Sequence, residues 1–406
     1  MIKDISYTDY KRKNDIHGTV LYPAVMVAPV QKDVLHDIAQ SDRIGSICDP
    51  FHGSGTALYE SCIEFPNAII HGCDINPYAN LITRTKLEGV SDRIERDIKK
   101  LANSIEHNNE TDILEFDNRE KWFRDDIALS LTRIRSSIQK IEDKQDRDYF
   151  WCMLGDVIRR YSNTRSSTYK LHAKPQDRIE AMRDNVIKDF LSAVKRNYKM
   201  YDSVHCNNYR LFKQDAIQFA KGLKDNCYDL VITSPPYGDN LTTVPYGQFS
   251  SLALRWIDEK DLIMDGWETS NYSTIDRKSL GSGQKDKALS KKQKELIEPY
   301  IDKISNNKKP KVLYFFHDYF ECLNELIRAT DKYIVLTLGN RKVDGVTIEL
   351  AAITGEYLKY KGFKEKQTIS RAIMNKRTPK LTSSVNNAPV ESMKEEHVLI
   401  YKANIF

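Results

Sequence analysis

One segment of this 406-residue chain concentrates groups that could act on an amine. It reads Tyr228-Asp229-Leu230-Val231-Ile232-Thr233-Ser234-Pro235-Pro236-Tyr237-Gly238-Asp239-Asn240. Two prolines fix the backbone directly after an apolar run and remove two N–H donors. The loop therefore presents carbonyl oxygens with no competing donors beside them. Ser234 adds another acceptor, and Tyr237 offers an aromatic face. This set suits a planar ring carrying an –NH2 group, with oxygens accepting its hydrogens and a ring stacking on its face.

A second segment, Cys48-Asp49-Pro50-Phe51-His52-Gly53-Ser54-Gly55-Thr56, follows an apolar strand and leads into the helical pattern ALYESCIEF. Glycines at the carboxyl end of a strand let a ligand approach the backbone closely. Three readings compete. A phosphate-binding P-loop requires a Lys after its last glycine, and Thr56 follows Gly55. A dinucleotide fingerprint requires a third glycine where Leu58 stands. The third reading is an S-adenosylmethionine pocket of the D-P-F-x-G-x-G type. Asp74 ends the next apolar run, 19 residues beyond Gly55, within Gly72-Cys73-Asp74-Ile75-Asn76-Pro77. A carboxylate there can accept hydrogen bonds from both ribose hydroxyls, which favours an adenosine-bearing ligand without choosing between NAD and S-adenosylmethionine. Asp215, after the third strand, is placed either to accept from an adenine amino group or to cap the following helix.

The elements that must position these residues are legible as short apolar runs. Ile44–Cys48, Ala68–Cys73, Tyr209–Phe212 and Tyr228–Thr233 read as buried strands. Tyr333–Leu338 reads as a fifth, with two more near Gly362–Ile369 and His397–Tyr401. Helical patterns follow several of them, so the expected fold is α/β, a Rossmann-like parallel sheet with helices on both faces. About 135 residues separate the second and third strands, too many for one crossover helix. Residues 88–205 are therefore expected to form a large, mostly helical insertion, with 1–87 and 206–406 making the sheet domain. The Gly/Ser/Lys-rich stretch 265–310 suggests a mobile basic loop that becomes helical.

Composition narrows the class. The chain is 40% hydrophobic and 29% charged, with a mean hydropathy of −0.55, as in a soluble globular protein. Its longest nearly unbroken apolar stretch, Tyr22 to Val30, is far shorter than the ~18 residues of a membrane span. The charged start MIKDISYTDYKRKND has no apolar core of a secretory signal. Seven cysteines without a CxxC pair argue against a disulfide framework or a zinc ribbon. A cytoplasmic location with reduced, mostly buried cysteines is the expectation. The net charge of +5 is unevenly spread: Arg159 to Lys213 holds 13 Lys/Arg against 5 Asp/Glu, and Lys359 to Lys402 holds 10 against 4. Such excesses suit a polyanion partner or a solvated helical face.

Taken together, Asp49-Pro50-Phe51-x-Gly53-x-Gly55-Thr56, Asp74 and Ser234-Pro235-Pro236-Tyr237 resemble the amino-group DNA methyltransferases of restriction–modification systems. Tyr22-Pro23-Ala24, followed by Pro29, looks like that family's cofactor-flanking motif. Arg165-Ser166-Ser167-Thr168-Tyr169-Lys170-Leu171-His172, Tyr246-Gly247-Gln248-Phe249 and Asn375-Lys376-Arg377 are also similar. The resemblance implies methyl transfer from S-adenosylmethionine to the N4 amine of cytosine or the N6 amine of adenine, and Ser234 favours cytosine. It implies catalysis by Ser234, Pro235, Pro236 and Tyr237, and a cofactor held by Tyr22, Asp49, Phe51, Gly53, Gly55, Thr56, Asp74, Asn76 and Asp215. Duplex DNA becomes the partner, its target base flipped out. Arg165, Ser167, Tyr169, Lys170, His172, Lys376 and Arg377 are the candidates to touch it. There is room for a cognate restriction endonuclease, and no metal is expected. The insertion's place between the second and third strands departs from the family's commonest arrangements and leaves open which segment reads the DNA. Methylation of RNA, methylation of a protein glutamine, and an inactive DNA-binding module are the alternatives.

Overall fold

Side-chain alternation explains the sheet. Ile47, Leu230, Ile232, Tyr333, Val335, Val398 and Ile400 join one apolar cluster, while Cys48, Val231, Ile334, Leu336, Leu399 and Tyr401 join a second. Strands apolar on both faces must be covered on both faces. The computed structural model describes residues 7–202, 205–238, 244–262, 273–278, 288–372, 381–385, 388–391 and 395–404. It shows β1 (Ser46–Asp49), β2 (Ile69–Cys73), β3 (Tyr209–Phe212), β4 (Tyr228–Thr233), β5 (Thr330–Gly339), β6 (Phe363–Ala372) and β7 (Glu395–Ala403) in one seven-stranded sheet.

The strand order is β3-β2-β1-β4-β5-β7-β6. The first five strands in that order run parallel, and β7 pairs antiparallel with both β5 and β6. This is the Rossmann-like, doubly wound α/β sheet expected from the sequence. The order reverses at β1, whose neighbours are β2 and β4. Ligands of open α/β sheets bind at such a switch point, outside the carboxyl ends of the strands. Both chemical motifs leave the sheet there, one after β1 and one after β4.

One face is covered by the helices Ala28–Ala39, Thr56–Glu64 and Pro77–Glu88 and by the long segment between β2 and β3. That segment is helical at Ile94–Glu106, Asp125–Ile138, Lys144–Tyr161 and Val186–Asn197. Its buried side chains, such as Leu131, Phe150 and Val194, fall in the same cluster as Ile47 and Leu230. The other face is covered by Lys291–Ile301, Lys309–Ala329 and Leu350–Tyr360. Lys291–Ile301 begins with a capping box between Ser290 and Gln293, inside the stretch read as a loop becoming helical. Residues 265–272 and 279–287 of that stretch lie outside the described residues.

The helix Tyr246–Trp256, which follows the Ser-Pro-Pro-Tyr loop, is locked to the insertion. Trp256 is fully buried and meets Phe116 and Phe123 edge-on at 5.5 and 5.4 Å. Just beyond it, the buried Asp261 accepts from Arg147 at 2.8 to 3.1 Å and from the Trp151 indole at 2.7 Å. Removing one partner of such a pair leaves a buried charge unmatched and costs about 3–5 kcal/mol. The insertion thus fixes the helix that borders the candidate site.

Candidate active site

A cleft open to solvent lies at the carboxyl ends of β1, β2, β3 and β4. Tyr22, Phe51, Gly53, Thr56, Asp74, Asn76, Asp215, Ser234 and Pro236 all line it. Residues about 200 positions apart are therefore brought to one wall-to-wall space. Asp49, Gly55, Pro235 and Tyr237 are not among the lining residues. Lys376 and Arg377 lie outside the described residues.

The glycine turn is built for close approach. Gly55 has φ +73°, and a Cβ there would stand 2.6 Å from the Thr83 side chain. Only glycine fits that combination without strain. Gly53 also has positive φ, and its N–H donates to Asp74 Oδ2 at 3.0 Å. Asn76 N–H donates to the other oxygen, Oδ1, at 2.8 Å. Each Asp74 oxygen keeps acceptor capacity toward the cleft, which matches two adjacent hydroxyls. Burial holds the Asp74 carboxyl above its usual range. Thr56 Oγ1 is buried with no hydrogen-bond partner among the described residues, although Thr56 lines the cleft. A buried hydroxyl left unpaired in this way calls for an explanation beyond packing.

Other residues brace these. Asn76 donates to Tyr22 Oη at 3.1 Å and to Ser250 Oγ at 2.7 Å, and its Oδ1 caps the next helix through Tyr78 N–H at 3.0 Å. Both amide hydrogens are engaged, so Asn76 acts by holding Tyr22. Tyr22 in turn stacks near Tyr246, with centroids 5.9 Å apart. Asp215 caps its helix through Gln218 N–H at 3.0 Å, the capping reading of the sequence, and it also lines the cleft. The fully buried Asp49 accepts from Phe51 N–H at 3.0 Å and from Thr233 Oγ1–H at 2.6 Å. It ties the turn after β1 to the end of β4, behind the cleft.

Asp49 also yields a pH prediction. Burial raises its carboxyl from 3.8 to about 7, and Oδ2 has no partner. The folded state holds a proton there that the unfolded state has released between those values. Its contribution to stability is full below pH 3.8 and is lost as pH rises through about 7. Asp49→Asn should flatten that decline, measured by urea unfolding at a series of pH values. An unchanged slope in the variant would contradict this assignment.

Several lining residues had no place in the sequence reading: His52, Ile275 and Lys278. Tyr246 also lines the cleft, and its Tyr-Gly-Gln-Phe context was the available signal. His52 is buried and contacts Gly53 O at 3.0 Å and Thr83 Oγ1 at 3.1 Å. Burial lowers its imidazole's affinity for a proton, which fits a structural brace.

Beside the cleft, the segment 164–173 forms a small hairpin closed by a bridge from Thr164 to Ala173. It rests on the helix Tyr246–Trp256. Tyr169 meets Phe249 edge-on at 5.7 Å, and Leu171 N–H donates to Gln248 Oε1 at 3.4 Å. Arg165, Ser167 and His172 are exposed, and Tyr169 and Lys170 half-buried. Part of the basic excess is engaged within the protein: the buried Arg159 lies over the Phe249 ring at 4.6 Å, and the exposed Arg160 pairs with Asp156 and Asp189.

With this geometry in hand, comparison with known proteins becomes informative. No family model matches the chain. The type II methyltransferase M.MvaI of Kocuria varians is 28% identical over 433 aligned positions, spanning 98% of this chain and 93% of that protein. The chain is similar to a type II methyltransferase from end to end. That similarity supports methyltransferase activity. Two solved structures of the rRNA methyltransferase AviRa from Streptomyces viridochromogenes align over 96% of this chain and 93% of theirs, at 10% identity. Their TM-scores of 0.31 and 0.32 carry no argument. Among the described residues, no three His, Cys, Asp or Glu side chains converge to hold a metal ion. No described helix is long and apolar enough to cross a membrane.

Proposed function

We propose that the chain is an S-adenosylmethionine-dependent DNA methyltransferase that modifies the N4 amine of cytosine in duplex DNA, as the modification arm of a restriction–modification system. The carrying observation is that Ser234 and Pro236 share one cleft with Gly53, Thr56 and Asp74. An amine-binding loop and a ribose-binding carboxylate there face the same space. Similarity to a type II methyltransferase supports the DNA reading, and the choice of cytosine rests on the serine at position 234.

S-adenosylmethionine, when bound, supplies a methyl group on a sulfonium leaving group. Asp74 would take the ribose hydroxyls, Gly53 and Thr56 the chain near the turn, and Asp215 the adenine amine. The amine to be methylated is a poor nucleophile because its lone pair is delocalised into the ring. Ser234 Oγ, which lines the cleft, would accept from it, draw the nitrogen toward tetrahedral geometry and stabilise the positive charge that develops. Holding the nitrogen in line with the methyl carbon removes an entropic barrier. Tyr237 does not line the cleft; its Oη lies 3.0 Å from Ser234 Oγ.

A base inside a duplex cannot reach such a cleft, so it must be flipped out. The hairpin with Arg165, Ser167, Tyr169, Lys170 and His172 sits against the helix that borders the cleft, where phosphate contacts would anchor the duplex. The test is methyl transfer by purified protein from labelled S-adenosylmethionine to duplex DNA, structured RNA and bulk protein in parallel. Label is expected in duplex DNA. Label in RNA or protein alone overturns the substrate class.

A further inference from the structure

Tyr237 carries a hydroxyl that base stacking does not use. It lies 3.0 Å from Ser234 Oγ and 3.3 Å from Glu396 Oε1 on β7. Glu396 is 159 residues further along the chain, and β7 delivers it beneath the loop. The direction of this chain of hydrogen bonds follows from counting hydrogens. An ionised carboxylate only accepts, so Tyr237 donates its single hydrogen to Glu396. Ser234 must then donate its own hydrogen to Tyr237. The Ser234 lone pairs are left facing the cleft, which is the orientation an incoming amine requires.

We propose that Glu396 is the terminal acceptor of the proton lost by the target amine, reached through Ser234 and Tyr237. The inference rests on the reading of the cleft as an amine methyltransferase site. As the nitrogen–carbon bond forms and the donor's carbon–sulfur bond breaks, the nitrogen is left with one hydrogen too many and a positive charge. That proton passes to Ser234 Oγ, the serine hydrogen to Tyr237 Oη, and the tyrosine hydrogen to Glu396 Oε1. The products are the neutral methylated amine and a protonated Glu396, which returns its proton to solvent between turnovers. No oxidant or further reactant is needed.

The surroundings fit an acceptor that is neither too weak nor too strong. Burial raises the Glu396 carboxyl above its ordinary range, and Arg371, with Nε 3.6 Å from Oε2, opposes that rise. Arg371 is the residue on β6 paired with Glu396 in register, and Gly339 is its partner on β5. Tyr237 faces it from the loop. Those are the groups that set its titration.

Glu396 touches neither ligand, so it is a positioning and relay residue. Tyr237→Phe keeps the ring and breaks the relay, and Glu396→Gln keeps the shape and removes the acceptor. Each should slow single-turnover methyl transfer by about 10- to 100-fold, toward the low end of general acid–base contributions. Equilibrium binding of S-adenosylmethionine and of duplex DNA should stay within about twofold, because neither binding surface changes. The double variant should be no slower than the slower single, since both cut one chain. The wild-type rate should fall as pH drops through the Glu396 titration, and Glu396→Gln should lack that acid limb. A Tyr237→Phe rate within about threefold of wild type, multiplying effects in the double variant, or an unchanged acid limb would overturn the relay. If Glu396→Gln fails to fold, Tyr237→Phe decides alone. Wild-type protein that transfers no methyl group overturns the reading of the site and the relay with it, whereas active wild type with unaffected variants overturns the relay only.

Discussion

Asp74→Ala is expected to weaken S-adenosylmethionine binding by at least about 100-fold while the protein stays folded. In the proposed binding mode the carboxylate offers one acceptor oxygen to each ribose hydroxyl, and it is itself held by Gly53 N–H and Asn76 N–H. Two charge-assisted hydrogen bonds at about 1.5–3 kcal/mol each, with each 1.4 kcal/mol worth about a factor of ten, set that scale. The loss also leaves two loop N–H groups without their acceptor, so the turn loosens where the ligand needs it rigid. Asp215→Asn should cost less than about tenfold, because one hydrogen bond is at stake and its cap to Gln218 survives in weaker form. Calorimetric titration checks both, with thermal unfolding as the control for folding. Equal affinities for wild type and Asp74→Ala would remove the ribose assignment.

Ser234→Ala is expected to lower the rate of methyl transfer by about 100-fold with little change in cofactor affinity. A preorganised polar group aimed at developing charge is typically worth about 10²–10³ in rate. The serine does two things at once. In the proposed mechanism it accepts from the amine and hands its hydrogen to Tyr237, whose Oη lies 3.0 Å away. Its effect should therefore exceed that of Tyr237→Phe, which spares the first role. An interaction made chiefly in the transition state lowers kcat and kcat/KM together. Steady-state kinetics on duplex DNA, with the cofactor titrated separately, tests this. A raised KM with unchanged kcat would assign Ser234 to ground-state binding.

Much of the fold was legible because its strands are buried on both faces. Tyr209–Phe212 and Tyr228–Thr233 read as short, mostly apolar runs and appear as strands with those bounds, although Tyr209–Phe212, expected to be buried, lies at the sheet edge with none of its residues buried. The long gap after Cys73 announced extra structure because no single crossover helix fills it. The chemistry was legible where the backbone itself is the instrument, at the glycines after β1 and the prolines after β4. What stayed hidden depends on contacts between distant residues. Nothing local marks Asp49 as a brace behind the cleft rather than a lining residue, since its partner Thr233 is 184 positions away. Asn76 likewise looks like a ligand residue until Tyr22 and Ser250 are seen to occupy its amide. Glu396 sits in the short charged run Lys394-Glu395-Glu396 and gives no sign of its burial beneath Tyr237. Ile275 and Lys278 belong to a stretch whose Gly, Ser and Lys content reads as a loop, yet they border the cleft.

The central claim is that this cleft methylates an exocyclic amine of a DNA base, cytosine N4 in particular. Nucleoside analysis of genomic DNA from cells expressing the protein, beside cells expressing Pro235→Ala at the same soluble level, tests it most directly. N4-methylcytosine in the wild-type DNA and its absence with the variant is the predicted result. N6-methyladenine in its place would keep the mechanism and contradict the choice of base, and no methylated base from soluble wild-type protein would contradict the account of the site itself.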